Sequence, residues 1–227
     1  MDSNLSFHLF RVPVSRRKLG TLALYAFFIC AGLWNALRGY QPILKGLTPI
    51  IFIAVAVAAL LLTYRLTIRS VGAALAVLLM TFIAEASGAN FGFPFGDYAY
   101  TNALGPKILD VPLAIPFLWL AVLITSWNAA DRILRYKHAI VAAIVATAFD
   151  AVLEFAADSL DLWHWQGGMP TELNLISWFA ISYLGISLLK RYATEKNADP
   201  IVPHLLIAQL LYFVISDAGI HFFSPQG

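Results

Sequence analysis

The run HAIVAAIVATAFDAVLEFAAD, residues 138–158, decides the fold because it is as long and apolar as a membrane crossing and yet carries three acids. A membrane helix needs about 20 mostly apolar residues. Asp150, Glu154 and Asp158 follow one another at intervals of four residues, and residues with that spacing share one face of a helix. The run therefore predicts a transmembrane helix whose C-terminal half presents a polar face.

The composition of the whole chain is that of a membrane protein. Of its 227 residues, 60% are hydrophobic and 12% are charged, whereas about 25% are charged in soluble domains. The mean hydropathy is +0.75. The sequence predicts an all-α, polytopic membrane protein with seven transmembrane helices in one integral membrane domain, residues 1–227. The predicted spans are residues 19–37, 49–66, 70–87, 111–128, 138–158, 173–190 and 203–223.

The charged residues and the single cysteine exclude several classes of function. A net charge of +2 gives no case for a nucleic-acid partner. The one cysteine, Cys30, excludes an intramolecular disulfide and a cysteine-based zinc site.

The lysine and arginine residues predict the orientation of the spans. Twelve of the fifteen lie in segments on the same side as the N-terminus, and the opposite side holds Arg38, Lys45 and Lys107. Cytoplasmic segments carry the excess of positive charge. We therefore expect a multi-pass protein of the cell (inner) membrane, with the N-terminus cytoplasmic and the C-terminus outside.

The acids of the spans gather toward the predicted outer side. Glu85 ends the third span, Asp150 and Glu154 lie in the fifth, and Asp217 lies in the seventh. Carboxylates inside a membrane are costly and usually face a cavity or the bundle interior, although Asp217 could instead hydrogen-bond a neighbouring helix. Neighbouring carboxylates in a low dielectric do not all ionise, so one should hold a proton. That arrangement places a general acid beside a general base.

Two outer loops are rich in aromatic residues. The first contains GANFGFPFGDYAYTNALGPKILDVP, residues 88–112, with Asp97 beside two tyrosines, and the second contains WHW, residues 163–165. One interpretation is an interfacial aromatic belt. The other is a re-entrant or lid segment that lines a cavity, where aromatic faces pack against a flat apolar ligand and stabilise a cation. The residues concerned are Phe91, Phe93, Phe95, Tyr98, Tyr100, Trp163, Trp165 and, from the sixth span, Trp178.

His164 is the one histidine close to several acids in the sequence. It lies near Asp158 and Asp161, and oxygen and nitrogen groups of this kind can hold a metal. The spacing matches no established metal motif, so we predict a boundary histidine and no metal site.

Several segments taken together resemble the membrane carotenoid-biosynthesis family that includes carotenoid 1,2-hydratases of the bisanhydrobacterioruberin and γ-carotene hydratase type. They are GFPFGDYAYTNALGP, VPLAIPFLW, DAVLEFAADSLDLWHW and GGMPTELNLISWF. The resemblance runs from about Glu85 to Trp178. The matching positions are Glu85, Gly96, Asp97, Tyr98, Tyr100, Pro112, Pro116, Trp119, Asp150, Glu154, Trp163, Trp165, Pro170, Asn174 and Trp178.

The resemblance implies a hydratase that protonates a terminal isoprenoid double bond and lets water add to the tertiary cation. It needs no cofactor. We expect Asp150 or Glu154 to be the acid and Asp97 or Glu85 its partner. The expected substrate-binding residues are Tyr98, Tyr100, Trp119, Trp163, Trp165, Asn174, Trp178 and Asp217.

The expected partners are a carotenoid or other isoprenoid lipid, membrane lipids and, as an open question, other carotenoid enzymes. Two alternatives stay open. One is a Mg-dependent enzyme resembling a prenyltransferase, because the acids of the fifth span mimic paired aspartates. The other is a proton-coupled transporter or a receptor.

Overall fold

The chain folds into a bundle of helices closed at one end by two small sheets. The computed structural model describes residues 16–37, 41–194 and 198–223. The predicted cytoplasmic N-terminus, residues 1–15, and the predicted outer C-terminus, residues 224–227, lie outside the described residues. The described helices are α1 (Arg16–Ala36), α2 (Gln41–Thr63), α3 (Ile68–Phe91), α4 (Ile115–Arg132), α5 (Ala139–Ser159), α6 (Glu172–Tyr192) and α7 (Val202–Phe223). The strands are β1 (Tyr98–Tyr100), β2 (Lys107–Ile108), β3 (Val111–Pro112) and β4 (Trp163–Trp165).

Six of these helices are long and apolar enough to cross a membrane, which makes the chain a multi-pass membrane protein. The helix that does not meet this criterion is α4. It contacts α2, α3, α5, α6 and α7 and is buried along almost all its length. Its buried part carries Asn128, and its last residues, Asp131 and Arg132, reach the exposed end of the helix, and these polar residues lower its hydropathy.

One end of the bundle is rich in basic residues. At this end, hydrogen bonds link the segments that connect the helices. The Arg65 backbone amide, between α2 and α3, donates to the Thr194 carbonyl after α6 (2.9 Å), and the Arg132 guanidinium at the end of α4 donates to the Ala198 carbonyl before α7 (2.5 Å). We call this the basic end, because Arg65, Arg69, Arg132, Arg135, Lys137, Lys190 and Arg191 lie there. The two aromatic loops lie at the opposite end, which we call the site end.

The start of α4 differs from the predicted span, which began at residue 111. Val111 and Pro112 form β3, which pairs antiparallel with β2, and the helix begins at Ile115. The turn between the strands consists of Leu109 and Asp110, whose φ angles are 49° and 61°. Two successive positive φ values suit a two-residue hairpin turn. The all-α prediction is therefore confirmed for the helices, whereas the small sheets were not predicted.

A side-chain cap fixes the start of α6 near the site. The Thr171 hydroxyl accepts from the backbone N–H of Asn174 (3.2 Å) at the start of α6. The same hydroxyl donates to the Phe95 carbonyl (2.6 Å) in the connection between α3 and α4. The cap therefore sets the start of α6 against this connection and fixes the position of Asn174.

Candidate active site

The two aromatic loops join in an antiparallel sheet of β1 and β4. Tyr98 pairs with Trp165, Ala99 with His164, and Tyr100 with Trp163. Side chains alternate between the faces of a strand, so the two tyrosines and the two tryptophans lie on one face. That face covers the ends of the helices, whereas His164 on the other face is half-exposed.

Glu85 of α3 is enclosed by three hydrogen-bond donors and is only 4% exposed. The hydroxyls of Tyr98 and Tyr100 donate to Oε2 at 2.6 and 2.7 Å. The Trp119 indole donates to Oε1 at 2.6 Å. Burial first, and then the neighbouring Glu85 carboxylate, raise the pKa of both tyrosine hydroxyls above the usual range. Both tyrosines are therefore neutral donors to Glu85.

Glu154 of α5 is enclosed in the same way and is 8% exposed. The indoles of Trp163 and Trp165 donate to Oε2 at 3.0 and 2.7 Å. The Asn174 amide donates to Oε1 at 3.1 Å. The sheet of β1 and β4 thus supplies donors to both glutamates, from its tyrosine strand to Glu85 and from its tryptophan strand to Glu154.

Asp150 lies one helical turn before Glu154 and is fully buried. Its Oδ2 atom accepts from the Asn174 amide at 3.1 Å, so one amide group bridges Asp150 and Glu154. Its Oδ1 atom has no hydrogen-bond partner among the described residues. A buried polar atom without a partner is costly, which marks this oxygen as the place where a ligand or a water molecule would bind.

A small cavity lies between these carboxyl groups. It leaves about 20 Å³ for the centre of a water molecule, which is room for about one water. Trp119 and Trp178 stack face to face on one side, with ring centroids 3.5 Å apart. The other polar and aromatic residues of the lining are Glu85, Phe95, Tyr98, Tyr100, Asp150, Glu154, Trp163, Trp165 and Asn174.

The sequence identifies the family to which this chain belongs. Residues 45–225, which contain every residue of the cavity, match a family model described as carotenoid biosynthesis protein. The chain belongs to the carotenoid biosynthesis protein family. Neither a curated protein nor a solved structure shows significant similarity to it. Membership implies a role in carotenoid biosynthesis and suggests an enzyme of that pathway.

Two of the predicted site residues lie outside the cavity of this carotenoid biosynthesis protein. Asp97, predicted as a catalytic partner, is exposed, and its side chain lies over Gly92. Asp217, predicted as a binding residue, accepts from the Ser159 hydroxyl at 2.6 Å and lies 3.3 Å from His221 Nε2. The structure therefore separates both acids from Glu85, Asp150 and Glu154, which it brings together.

Phe95 was expected among the loop aromatics that could line a cavity, although not among the substrate-binding residues, and the apolar part of the lining was not predicted. Phe95 is buried and contacts Tyr98 and Trp119 edge-on or at a tilt. Ile115, Leu118 and Leu153 complete the wall. Phe95 lies in the same aromatic loop as the tyrosines, so that loop was the available signal, whereas nothing in the sequence distinguishes the aliphatic residues from ordinary core.

His164 lies on the outer surface of the sheet, as predicted for a boundary histidine. Its Nδ1 atom is 2.5 Å from Asp158 Oδ1 and its Nε2 atom is 3.1 Å from Asp161 Oδ1. The hydrogen bond with Asp158, more than the weaker one with Asp161, raises the pKa of the imidazole. Within the described residues no group of three or more histidine, cysteine or acidic side chains has the arrangement of a metal site.

Proposed function

We propose that this protein is a carotenoid hydratase that adds water to the terminal isoprenoid double bond of an acyclic carotenoid. The observation that carries the proposal is the unpartnered Oδ1 atom of Asp150, buried beside two further carboxyl groups in an aromatic cavity. Hydration of an alkene needs an acid, a base, one water molecule and a wall that stabilises a cation. Each of these has a candidate in the cavity, and the role in carotenoid biosynthesis supplies the substrate class.

The hydrogen bonds suggest which carboxyl group has which role. Glu85 and Glu154 each accept three donors and use both oxygens, which suits the acceptor-only carboxylate form. Asp150 accepts one, at Oδ2, which leaves Oδ1 to carry a proton toward the substrate. Asp150 is therefore the proposed acid, and Glu154, joined to it through Asn174, is the proposed base.

The proposed reaction is balanced in protons. The O–H bond of Asp150 breaks as its proton joins the less substituted carbon of the double bond, which leaves a cation at the tertiary carbon. The oxygen of the water molecule bonds to that carbon, and Glu154 accepts the proton that the water loses. Transfer of that proton back to Asp150 completes the cycle. General acid–base assistance of this kind contributes about 10²–10⁴-fold to the rate.

The aromatic walls suit the cationic intermediate. The rings of Tyr98, Tyr100, Trp119, Trp165 and Trp178 line the cavity, and the faces of such rings attract a cation. The Glu85 carboxylate orients three of them through their polar atoms. Glu85 is thus proposed to position the walls and to supply negative charge near the cation.

We also propose that all seven helices cross the cell (inner) membrane, with the basic end in the cytoplasm and the site end outside. The basic residues at the basic end support this orientation. The contacts of α4 with five other helices support a seventh crossing, since they place it inside the bundle. The reaction would then take place near the outer face of the membrane.

The structure offers less support for the alternatives. A diphosphate substrate calls for lysine or arginine, and among the described residues the cavity lining contains neither. The oxygens that would bind Mg²⁺ already accept N–H and O–H donors in both glutamates. No contact of the described residues specifically favours a transporter or a receptor.

Expression in cells that accumulate lycopene tests the proposal. The protein should convert the pigment into a product heavier by one water, as measured by chromatography and mass spectrometry. Asp150→Asn should lose this product. Asp217→Asn is the matched control, because it removes a helix-borne acid outside the cavity, and it should retain the product. Unchanged pigment with well-expressed protein, or full turnover by Asp150→Asn, would refute the proposal.

A further inference from the structure

The cavity cannot accept an isoprenoid chain end as it stands. It has room for about one water molecule, whereas the end of an acyclic carotenoid is a branched chain of several carbon atoms. One wall must therefore move for the double bond to reach Asp150. The question is which wall moves and what lies behind it.

A large groove lies directly behind one residue of the wall. It has a volume of about 770 Å³ and lies between the first turns of α2 and the connection from α3 to α4. Tyr100 lines both the groove and the cavity. Among the residues that line the groove, Tyr100 is thus the side chain that separates this space from the carboxyl groups.

The contacts of Tyr100 fix its backbone more firmly than its side chain. The backbone pairs with Trp163 across the sheet, and its carbonyl accepts from Lys107 Nζ at 2.6 Å. The side chain is held by one hydrogen bond to Glu85 and by edge-on contacts with Tyr98 and Trp163, with centroids 5.3 and 5.7 Å apart. A change of rotamer would open the wall and break one hydrogen bond, while the sheet stays paired.

The lining of the groove suits an uncharged chain. Small or flat residues form much of it, namely Gly46, Pro49, Ala103, Gly105 and Pro106. Among the described residues of the lining, Asp161 is the one with a charge, and none is a lysine or an arginine. On α2, the apolar side chains of Leu47 and Ile50, which follow Gly46 and Pro49 in the sequence, are 42% and 59% exposed.

We infer that this groove binds the isoprenoid chain of the substrate behind its reacting end, and that the side chain of Tyr100 moves to admit that end to the cavity. The identity of the chain as a carotenoid rests on the proposed function. The groove and the cavity then form one continuous site, with the chain held by Gly46, Pro49 and Ala103 and the double bond beside Asp150. Water, already accommodated by the small cavity, needs no groove of this size.

The test fills the groove and measures binding separately from turnover. Gly46→Trp places an indole in the groove. Gly72→Trp is the matched control, because both glycines lie in helices with nothing within 4 Å of an added Cβ. Purified variants in nanodiscs are titrated with lycopene, and bound pigment is measured by its absorbance after gel filtration. The dissociation constant should rise roughly tenfold or more in Gly46→Trp and stay unchanged in Gly72→Trp.

Equal lycopene binding by the two variants would overturn the inference. This holds even if Gly46→Trp hydrates lycopene more slowly, because the groove would then admit water rather than bind the isoprenoid chain. The outcomes separate the inference from the proposed function. Loss of binding in Gly46→Trp, with no water added by the unaltered protein, would support the groove and refute the hydratase. Unchanged lycopene binding by Gly46→Trp, together with hydration by the unaltered protein, would refute the groove and support the hydratase.

A labelling experiment keeps the inference testable if Gly46→Trp does not fold. Ala103→Cys is made in a Cys30→Ser background, which removes the one native thiol. Lycopene should slow maleimide labelling at position 103. It should leave labelling of Gly167→Cys unchanged, since that glycine lies in the loop after β4 with open space around it. Equal labelling with and without lycopene at position 103 would contradict the inference.

Discussion

The hydrogen bonds at Glu85 predict a measurable coupling with Tyr98. Tyr98→Phe removes the hydroxyl that donates to Glu85 at 2.6 Å and leaves the ring in place. A hydrogen bond to a charged group contributes about 1.5–3 kcal/mol, whereas one between neutral groups contributes about 0.5–1.5 kcal/mol. We expect Tyr98→Phe to lower the free energy of unfolding by about 1.5–3 kcal/mol, since Glu85 accepts it as a carboxylate.

The same substitution should cost less in the Glu85→Gln background. The Trp119 indole can only donate, so the side-chain oxygen introduced by Glu85→Gln should face Trp119. The side-chain NH₂ group then faces Tyr98, whose hydroxyl can rotate to accept from it. The remaining bond to Tyr98 is then between neutral groups, and Tyr98→Phe should cost about 0.5–1.5 kcal/mol. The two backgrounds should thus differ by about 1 kcal/mol, which is the coupling energy.

Denaturant unfolding of the four proteins of this cycle, in one detergent and lipid mixture, measures the coupling. Tyr183→Phe is a control, because Tyr183 is exposed on α6, and it should change stability little in either background. A coupling energy near zero would refute the inference that Glu85 accepts these donors as a carboxylate. A cost of Tyr98→Phe below about 0.5 kcal/mol would contradict the hydrogen bond itself.

Three further predictions concern the bridge, the packing and the surface of the site. Asn174→Leu removes both hydrogen bonds of the amide bridge between Asp150 and Glu154. Steady-state hydration kinetics should show kcat lowered about 10²-fold or more, with a smaller change in KM. Changes of equal size in kcat and KM would argue against a positioning role for Asn174. Gly88→Ala should destabilise the protein by about 1–3 kcal/mol in thermal unfolding, because the added Cβ would lie 2.6 Å from the Phe95 ring and 2.8 Å from the Tyr98 hydroxyl. Gly72→Ala, the control, should be neutral or stabilising. Similar effects of the two substitutions would contradict the close packing at Gly88. Because the pKa of His164 is raised, its ion pair with Asp158 stabilises the fold fully below pH 6.5, the ordinary pKa of histidine, and this stabilisation is lost as the pH rises through the raised pKa. The melting temperature should therefore fall over that pH range in the unaltered protein and fall less in His164→Gln. Parallel pH profiles of the two proteins would disprove this.

The helical part of the site could be predicted from the sequence because helix periodicity is local. The interval of four residues between Asp150 and Glu154 placed both on one face, and both line the cavity. Asp158, one turn further on the same face, reaches the surface and contacts His164.

The pairing of the two loops could not be predicted, because it depends on contacts between distant parts of the chain. Each strand has three residues, and Tyr98 and Trp165 are 67 positions apart. The alternation of side chains along β1 did argue against a place for Asp97 in the cavity. Tyr98 and Tyr100 face the cavity, so the residue just before Tyr98 is expected on the other side, where the structure shows it exposed. Trp119 entered the prediction through the family resemblance alone, since its apolar run reads as ordinary membrane helix.

Hydration by the purified protein in heavy-oxygen water tests the central claim most directly. The protein in nanodiscs is given lycopene, and the product is analysed by mass spectrometry. The account predicts one labelled oxygen atom in each hydrated chain end, with product formed by Asp217→Asn and none formed by Asp150→Asn. Product formed at the full rate by Asp150→Asn, or no labelled product from an unaltered protein that binds lycopene, would contradict the account.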